Sequence, residues 1–347
     1  MALKSIIAID GMGGDLGPEA IFKGLALLKA PDCHFIIFGD RKELEPHIKL
    51  LPDNFSYEIR HTDVVVTSDM EVISALRMGK QSSMGLAIQA VKNKEAIAVV
   101  SSGNTGLYMS LAKIILNTIE GIDRPAIASV IPGKNGPTVC LDLGANSECI
   151  AKNLVDFAIL GEALARSAFN KKDVKLAILN IGTESVKGSR LVKKTSEILK
   201  KLFSNYVGFV EGNDICNGNV DVIVTDGFTG NVALKTIEGT AKYIVSELKS
   251  EFSKGILSKL GMFLSFPTLM RIKKRLDPRL YNGAILVGLN GIVVKSHGNS
   301  DEVGFANAVR VTLDIVKNNM FNRVQELVEQ TKLYEATEYL EGDGKGR

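Results

Sequence analysis

IAVVSSGNTG, residues Ile97–Gly106, joins an apolar, β-branched run to a loop of Ser, Gly, Asn and Thr, and a helical pattern follows at once. The run predicts a buried strand. Ser102, Gly103, Asn104 and Thr105 then offer backbone N–H groups, hydroxyls and an amide at a helix entrance, where the helix dipole favours an anion. A phosphate is the expected guest. VIVTDGFTGN at Val222–Asn231 repeats the spacing G-x-T-G after an apolar run and brings Asp226, Thr229 and Asn231 to a strand's carboxyl end. Ligands of open α/β sheets bind at that edge, so the two stretches are expected to be two walls of one site.

Outward from these stretches the chain alternates strand and helix. Ile6–Asp10 reads as a strand, and GMGGDLGPE follows, where Asp10, Gly13, Gly14 and Asp15 make a glycine loop and Pro18 takes a first helical position. The loop lacks the G-x-G-x-x-G spacing of a dinucleotide site, so a tight turn without ligand is the competing reading. Further strands are expected at His34–Phe38 and Tyr57–Arg60, around a helix at Arg41–Leu50. In ALRMGKQSSMGLAIQAV, Lys80 and the hydroxyls of Ser82 and Ser83 fall between two helical runs. They are either phosphate contacts or a solvated lysine and a Ser N-cap after a Gly C-cap.

AIASVI (126–131) and TVCLDL (138–143), joined through GKNG, read as an antiparallel hairpin. A helix at Asn153–Phe169, a strand at 176–182 and the polar loop TESVKGS with Lys187 come next. A long helix is expected at Val232–Leu248. GAILVGLNGIVVKSHGN supplies two strand-like runs ending in His297, which sits in a polar glycine loop and is an acid/base candidate or a plain turn histidine. The pattern predicts an α/β fold: a Rossmann-like, mainly parallel sheet flanked by helices, with a smaller inserted antiparallel element. Residues 1–333 form one domain or two closely joined halves, and 334–347 form a polar tail.

The 347 residues are 45% hydrophobic and 23% charged with a net charge of +3, the composition of an ordinary soluble protein and too little charge to imply nucleic acid. No run of about 18 apolar residues spans a bilayer, and MALKSIIAID shows no cleavage site, so a cytoplasmic protein is expected. Cys33, Cys140, Cys149 and Cys216 match no zinc or redox spacing. P-loop, G-x-S-x-G and H-E-x-x-H motifs are absent, so neither a metal, a cofactor nor a covalent enzyme intermediate is expected.

Glu251–Leu276 differs in kind. Phe252, Ile256, Leu260, Phe263 and Leu264 recur at helical spacing, and RIKKRLDPR follows with Arg271, Lys273, Lys274 and Arg275. This predicts an amphipathic segment at 251–276 that meets a membrane or an acidic partner, or else packs on the body or in a dimer interface.

IAIDGMGGDLGPE, LRMGKQSSMGLAI, VVSSGNTG, CLDLGAN, NIGTESVKG, VIVTDGFTGN and GLNGIVVKSHG, in this order over nearly the whole chain, resemble the bacterial phosphate acyltransferase (PlsX) family. The resemblance implies a fold shared with phosphotransacetylases and isocitrate/isopropylmalate dehydrogenases. It implies reversible transfer of a fatty acyl group from acyl carrier protein to inorganic phosphate, giving acyl phosphate for phospholipid synthesis, with phosphate attacking the thioester directly. A homodimer is implied too, with the 251–276 segment protruding as an apolar tip that touches the inner face of the membrane near a downstream membrane acyltransferase, and the basic run offered to acyl carrier protein or anionic lipid. On this reading Ser102, Asn104 and Thr105 hold phosphate, Lys187 and Asn231 hold phosphate or the oxyanion, and His297 orients or protonates the thiolate. A phosphotransacetylase using acyl-CoA and a non-catalytic membrane-surface scaffold are the competing functions.

Overall fold

The computed structural model describes residues 5–28, 32–66, 72–277, 279, 282–318 and 322–329, so the polar tail at 334–347 lies outside the described residues. The elements run β1 (Ser5–Asp10), α1 (Gly17–Ala26), β2 (Cys33–Gly39), α2 (Arg41–Leu44), β3 (Tyr57–His61), α3 (Val72–Gly79), α4 (Ser83–Lys92), β4 (Ala98–Ser101), α5 (Thr105–Leu116), β5 (Ala126–Ile131) and β6 (Thr138–Leu141). They continue with α6 (Ala151–Phe169), β7 (Leu176–Leu179), α7 (Arg190–Leu202), β8 (Tyr206–Val210), β9 (Val222–Val224), α8 (Gly227–Ser253), α9 (Ile256–Leu276), β10 (Ala284–Val287), β11 (Ile292–Lys295) and α10 (Glu302–Lys317). The helix expected at Arg41–Leu50 is instead a short α-helix followed by a 3-10 turn from Glu45, because Pro46 removes a backbone donor there.

Among the described residues, eleven strands form one sheet in the order β3-β2-β1-β4-β11-β10-β5-β6-β9-β7-β8. β3, β2, β1, β4 and β11 are mutually parallel, and so are β6, β9, β7 and β8. Between the blocks, β10 and β5 pair antiparallel with each other and with their outer neighbours, so the blocks point their carboxyl ends to opposite edges. β5 is the seam: Ala126–Ala128 pairs with β10, and Ser129–Ile131 pairs with β6.

Helices cover both faces. Ile7 and Ile9 of β1 pack in one layer with Phe22 of α1, Phe157 of α6 and Phe305 of α10, while Ala8 packs in the other with Ile88 of α4 and Tyr108 and Leu111 of α5. Period-two alternation with apolar residues on both sides is what a doubly covered strand requires. The Tyr108 hydroxyl donates to the carbonyls of Val99 and Val294, at 3.2 and 3.3 Å, tying α5 beneath β4 and β11.

α8 starts earlier than the sequence pattern suggests, since the Asp226 carboxylate accepts from Thr229 N at 2.9 Å and caps it, and it runs on to Ser253. The segment 251–276 is also not one helix. Gly255, at φ +86°, ends α8 and turns the chain into α9, so Phe252 belongs to the first helix and Ile256 onward to the second. The two pack on each other as an arm whose apolar side chains stay open: Ile256 is 87% and Phe263 76% exposed.

Asp142, fully buried just after β6, closes the seam. Its carboxylate accepts from the backbone N–H groups of Ile127, Gly144, Ala145 and Asn146 at 2.7–3.1 Å and from Asn146 Nδ2 at 2.9 Å. Asp142→Ala would leave the buried Ile127 N–H and three part-buried donor groups without their acceptor, at about 1–3 kcal/mol each, so urea denaturation of this variant should show a loss of more than about 3 kcal/mol.

Candidate active site

The carboxyl ends of β1, β4 and β11 line a polar cavity of about 410 Å³. β1 leads to β2 on one side and β4 lies on the other, so the cavity sits where the strand order reverses, the place at which open α/β sheets bind ligands. Asp10, Gly13, Gly14 and Asp15 come from the loop after β1, and Ser102, Gly103, Asn104 and Thr105 from the loop after β4. Ser82 and Ser83 come from the start of α4, and Lys295 and Gly298 from the end of β11. Two helix N-termini, those of α4 and α5, therefore converge on one space, each carrying about half a positive charge. Ser82 Oγ caps α4 by accepting from Gly85 N at 3.2 Å, and the Asn104 side chain caps α5 by accepting from Leu107 N at 3.0 Å.

The loops meet closely. Asp15 N donates to Gly298 O at 2.7 Å, and a Cβ on Gly13 would stand 2.8 Å from Gly103 N and 2.5 Å from Asp10 Oδ2. Asp10 is almost wholly buried. Its oxygens accept from Ser83 Oγ and Ser101 Oγ, both at 2.6 Å, and from Met12 N at 3.3 Å. Burial pushes its carboxyl above the ordinary value, against the pull of those donors and of the Lys295 charge.

A second cavity of about 630 Å³ lies between α8 and the sheet face and is mainly apolar, with Ile127, Val130, Ile131, Leu143, Leu234 and Ile237 among its walls. Asn231, Asn282, Lys134, Lys235, Glu238 and His297 add polar groups. Thr105 and Lys295 line both cavities. The Lys295 side chain donates to Ser102 O at 3.4 Å and to Ser296 O. Burial lowers its pKa to about 8, although Asp10 and Asp15 pull it upward. His297, half exposed, faces Glu238 of α8 with Nε2 3.6 Å from Oε1; partial burial lowers its pKa despite the carboxylate.

The sequence-expected residues divide accordingly. Asp10, Gly13, Gly14, Asp15, Ser82, Ser102, Gly103, Asn104 and Thr105 are brought together around the polar cavity, and Asn231 and His297 line the apolar one. Lys80 is exposed and lines neither; its neighbours Gly79 and Ser82 end one helix and cap the next. Lys187 Nζ pairs with Glu184 at 2.8 Å on the surface and also lines neither. Asp226 and Thr229 are occupied with each other, Thr229 Oγ1 donating to Asp226 at 2.7 Å. Lys295 and Ser101 are site residues that the sequence does not mark out. The legible signal for Lys295 is a lone cation closing the apolar run IVVK.

No group of three or more His, Cys, Asp or Glu among the described residues is arranged to hold a metal ion. No helix among them is long and apolar enough to cross a membrane. The side chains of Lys273, Lys274 and Arg275 lie outside what is described, although their backbone is helical; Arg271 is exposed.

A family model described as fatty acid synthesis protein matches residues 5–323. A curated phosphate acyltransferase of Rhodospirillum rubrum is 45% identical over 345 residues, covering 97% of this chain and 98% of that protein. One from Granulibacter bethesdensis is 47% identical, covering 92% and 88%. Among solved structures, a phosphotransacetylase from Streptococcus pyogenes aligns with a TM-score of 0.60 at 19% identity, covering 90% of this chain and 94% of its own. A 4-hydroxythreonine-4-phosphate dehydrogenase from Klebsiella pneumoniae aligns at 0.54 and 12% identity, covering 90% and 99%. These two likenesses establish the shared α/β fold.

The crowding at Gly13 gives a direct check on the polar cavity. Gly13→Ala should weaken binding of inorganic phosphate by about tenfold or more in isothermal titration calorimetry, since the new methyl must push Asp10 or Gly103 into the space.

Proposed function

The chain belongs to the phosphate acyltransferases and is an acyltransferase enzyme, and from that premise we propose that it transfers a fatty acyl group from acyl carrier protein to inorganic phosphate, reversibly, to give an acyl phosphate for phospholipid synthesis. The observation that carries the reading is the pair of cavities of opposite character sharing Thr105 and Lys295. Phosphate occupies the polar cavity, held by Ser102, Asn104, Thr105 and the N–H groups at the starts of α4 and α5. The acyl thioester lies in the apolar one.

A thiolate of pKa near 8.5 is a good leaving group, so phosphate attacks the carbonyl carbon without an enzyme nucleophile. What the protein must supply is position, with the attacking oxygen about 3–3.5 Å from the carbon, and donors for the developing oxyanion. His297, at the mouth shared by α8 and β11, orients or protonates the departing thiolate. Asn231 faces the thioester side. Lys187 lines neither cavity in this structure, where its Nζ pairs with Glu184 on the surface.

The arm fits an enzyme whose substrate and product carry fatty chains. Its exposed Ile256, Leu260, Phe263 and Leu264 form the surface for membrane contact and for a second copy of the chain, with Arg271 at the base of a basic run suited to acyl carrier protein or anionic lipid. The acyl phosphate then passes to a membrane acyltransferase.

Hydroxylamine trapping tests the activity. With phosphate present, acyl carrier protein thioesters should give hydroxamate faster than acyl-CoA; the reverse order would make this a coenzyme A phosphotransacylase, and no product would refute acyl transfer to phosphate. Ser102→Ala should lower kcat/KM for phosphate about tenfold or more. For the arm, the double variant Leu260→Glu, Phe263→Glu should lose sedimentation with vesicles containing anionic lipid, and undiminished binding would sink the membrane contact.

A further inference from the structure

Lys295 is the one cationic side chain among the described residues lining the polar cavity, and it lines the apolar one as well. It ends β11, where it is 7% exposed, and β11 pairs in parallel with β4, setting Lys295 opposite Ser101 at the start of the SSGNTG loop. Two of its ammonium's three donor directions go to carbonyls, those of Ser102 and Ser296. Asp10 lies near but does not take the third: its oxygens are engaged by the hydroxyls of Ser83 and Ser101 and by Met12 N, and Lys295 forms no ion pair among the described residues. A buried ammonium that lines both ligand spaces, with a donor direction not taken by the described residues, is placed to receive an anion entering either.

We propose that Lys295 is a catalytic residue of the acyl transfer, its ammonium bridging the phosphate in the polar cavity and the thioester carbonyl oxygen at the mouth of the apolar one. The proposal rests on the activity assigned above and names the group that acts at its junction. Hydrogen phosphate forms the new bond from its oxygen to the carbonyl carbon, and the carbonyl electron pair moves to oxygen, where the ammonium stabilises it. When the tetrahedral species collapses, the C–S bond breaks and its electron pair leaves with sulfur. The proton that hydrogen phosphate carried ends on the thiol, so acyl phosphate and free thiol balance thioester and hydrogen phosphate. Lys295 keeps its own protons throughout. Asp10 is a positioning residue: it fixes the Ser83 and Ser101 hydroxyls and supplies a nearby negative charge that helps keep the ammonium protonated.

The groups facing Lys295 are Asp10 on β1, Asp15 in the following loop and His297 beyond it, with Glu238 and Lys235 of α8 behind the histidine. A needed ammonium works below its pKa and fails above it, so the wild-type rate should fall on the alkaline side near pH 8. The experiment compares wild type, Lys295→Arg and Lys295→Ala at saturating acyl thioester, with folding checked by circular dichroism. Lys295→Ala should lose about 100-fold in kcat/KM for phosphate. Added ethylammonium should restore part of it saturably, and in Lys295→Arg the alkaline fall should move to higher pH. A Lys295→Ala enzyme within about threefold of wild type overturns the proposal. A larger loss with no rescue by ethylammonium and an unmoved alkaline limb in Lys295→Arg overturns it as well, leaving a structural role. A wild type that makes no acyl phosphate overturns the assigned activity first, and the role of Lys295 with it.

Discussion

The sheet reverses direction within one six-residue strand, and the rest of the molecule depends on that reversal. β5 gives three residues to β10 and the next three to β6, so two parallel blocks that each obey ordinary βα geometry are joined with their carboxyl ends at opposite edges. Such a junction leaves backbone groups at the crossing that neither block satisfies. Asp142 takes them up: a single carboxylate accepts from four backbone N–H groups and one side-chain amide. Gly230 permits the close approach that this needs, because a Cβ there would fall on the Asp142 carbonyl oxygen. α8, starting beside this knot, must cross the face of the junction, and the space left under it is the apolar cavity.

Charge is handled differently at the other end. Asp10 and Lys295 are both buried and near one another, yet they are not paired. Removing an isolated charge from water costs several kcal/mol, and a direct ion pair is the common remedy. Here the carboxylate is satisfied by two hydroxyls and an N–H, and the ammonium by two carbonyls. Hydrogen bonds to charged groups contribute roughly 1.5–3 kcal/mol each, enough together to offset much of the desolvation. The consequence is functional: a paired Lys295 would be neutralised, whereas this one keeps its charge turned toward the ligand spaces.

Much of this was legible in the sequence because its signals are local. An apolar run followed by Gly, Ser, Asn and Thr marks a strand end and helix start whatever the tertiary fold, and the loops after β1 and β4 were found that way. The hairpin of β5 and β6 was equally plain from GKNG. What could not be read was partnership across long separations. Ser83 and Ser101 are tied to Asp10 from 73 and 91 residues away, and nothing near them in the chain announces it. Lys187 poses the opposite problem: its glycine loop resembles the others in sequence, but the structure sets its ammonium beside Glu184 on the surface, outside both cavities. The repeat in DGFTGN is real as chemistry, since Asp226 caps α8 much as Asn104 caps α5, and although β4 and β9 run in opposite directions, Thr105 of the first loop and Asn231 of the second line the same apolar cavity.

The arm is a continuation of the site. On α8, Leu234, Ile237 and Ala241 line the apolar cavity, and Ile244, Val245, Leu248 and Phe252 extend the same three- and four-residue steps outward to Ile256, Leu257 and Leu260 of α9. That is one apolar stripe, half-buried at its inner end and open at its outer. A stripe that served only to hold α8 on the body would end where the body ends. An exposed apolar surface of this extent is rarely left to water, and a side chain the size of Leu contributes about 1.5–3 kcal/mol once covered. The sequence that builds one wall of the apolar cavity therefore also builds the open apolar surface of the arm, so that in the proposed reaction the fatty chain and its destination would be served by a single helix.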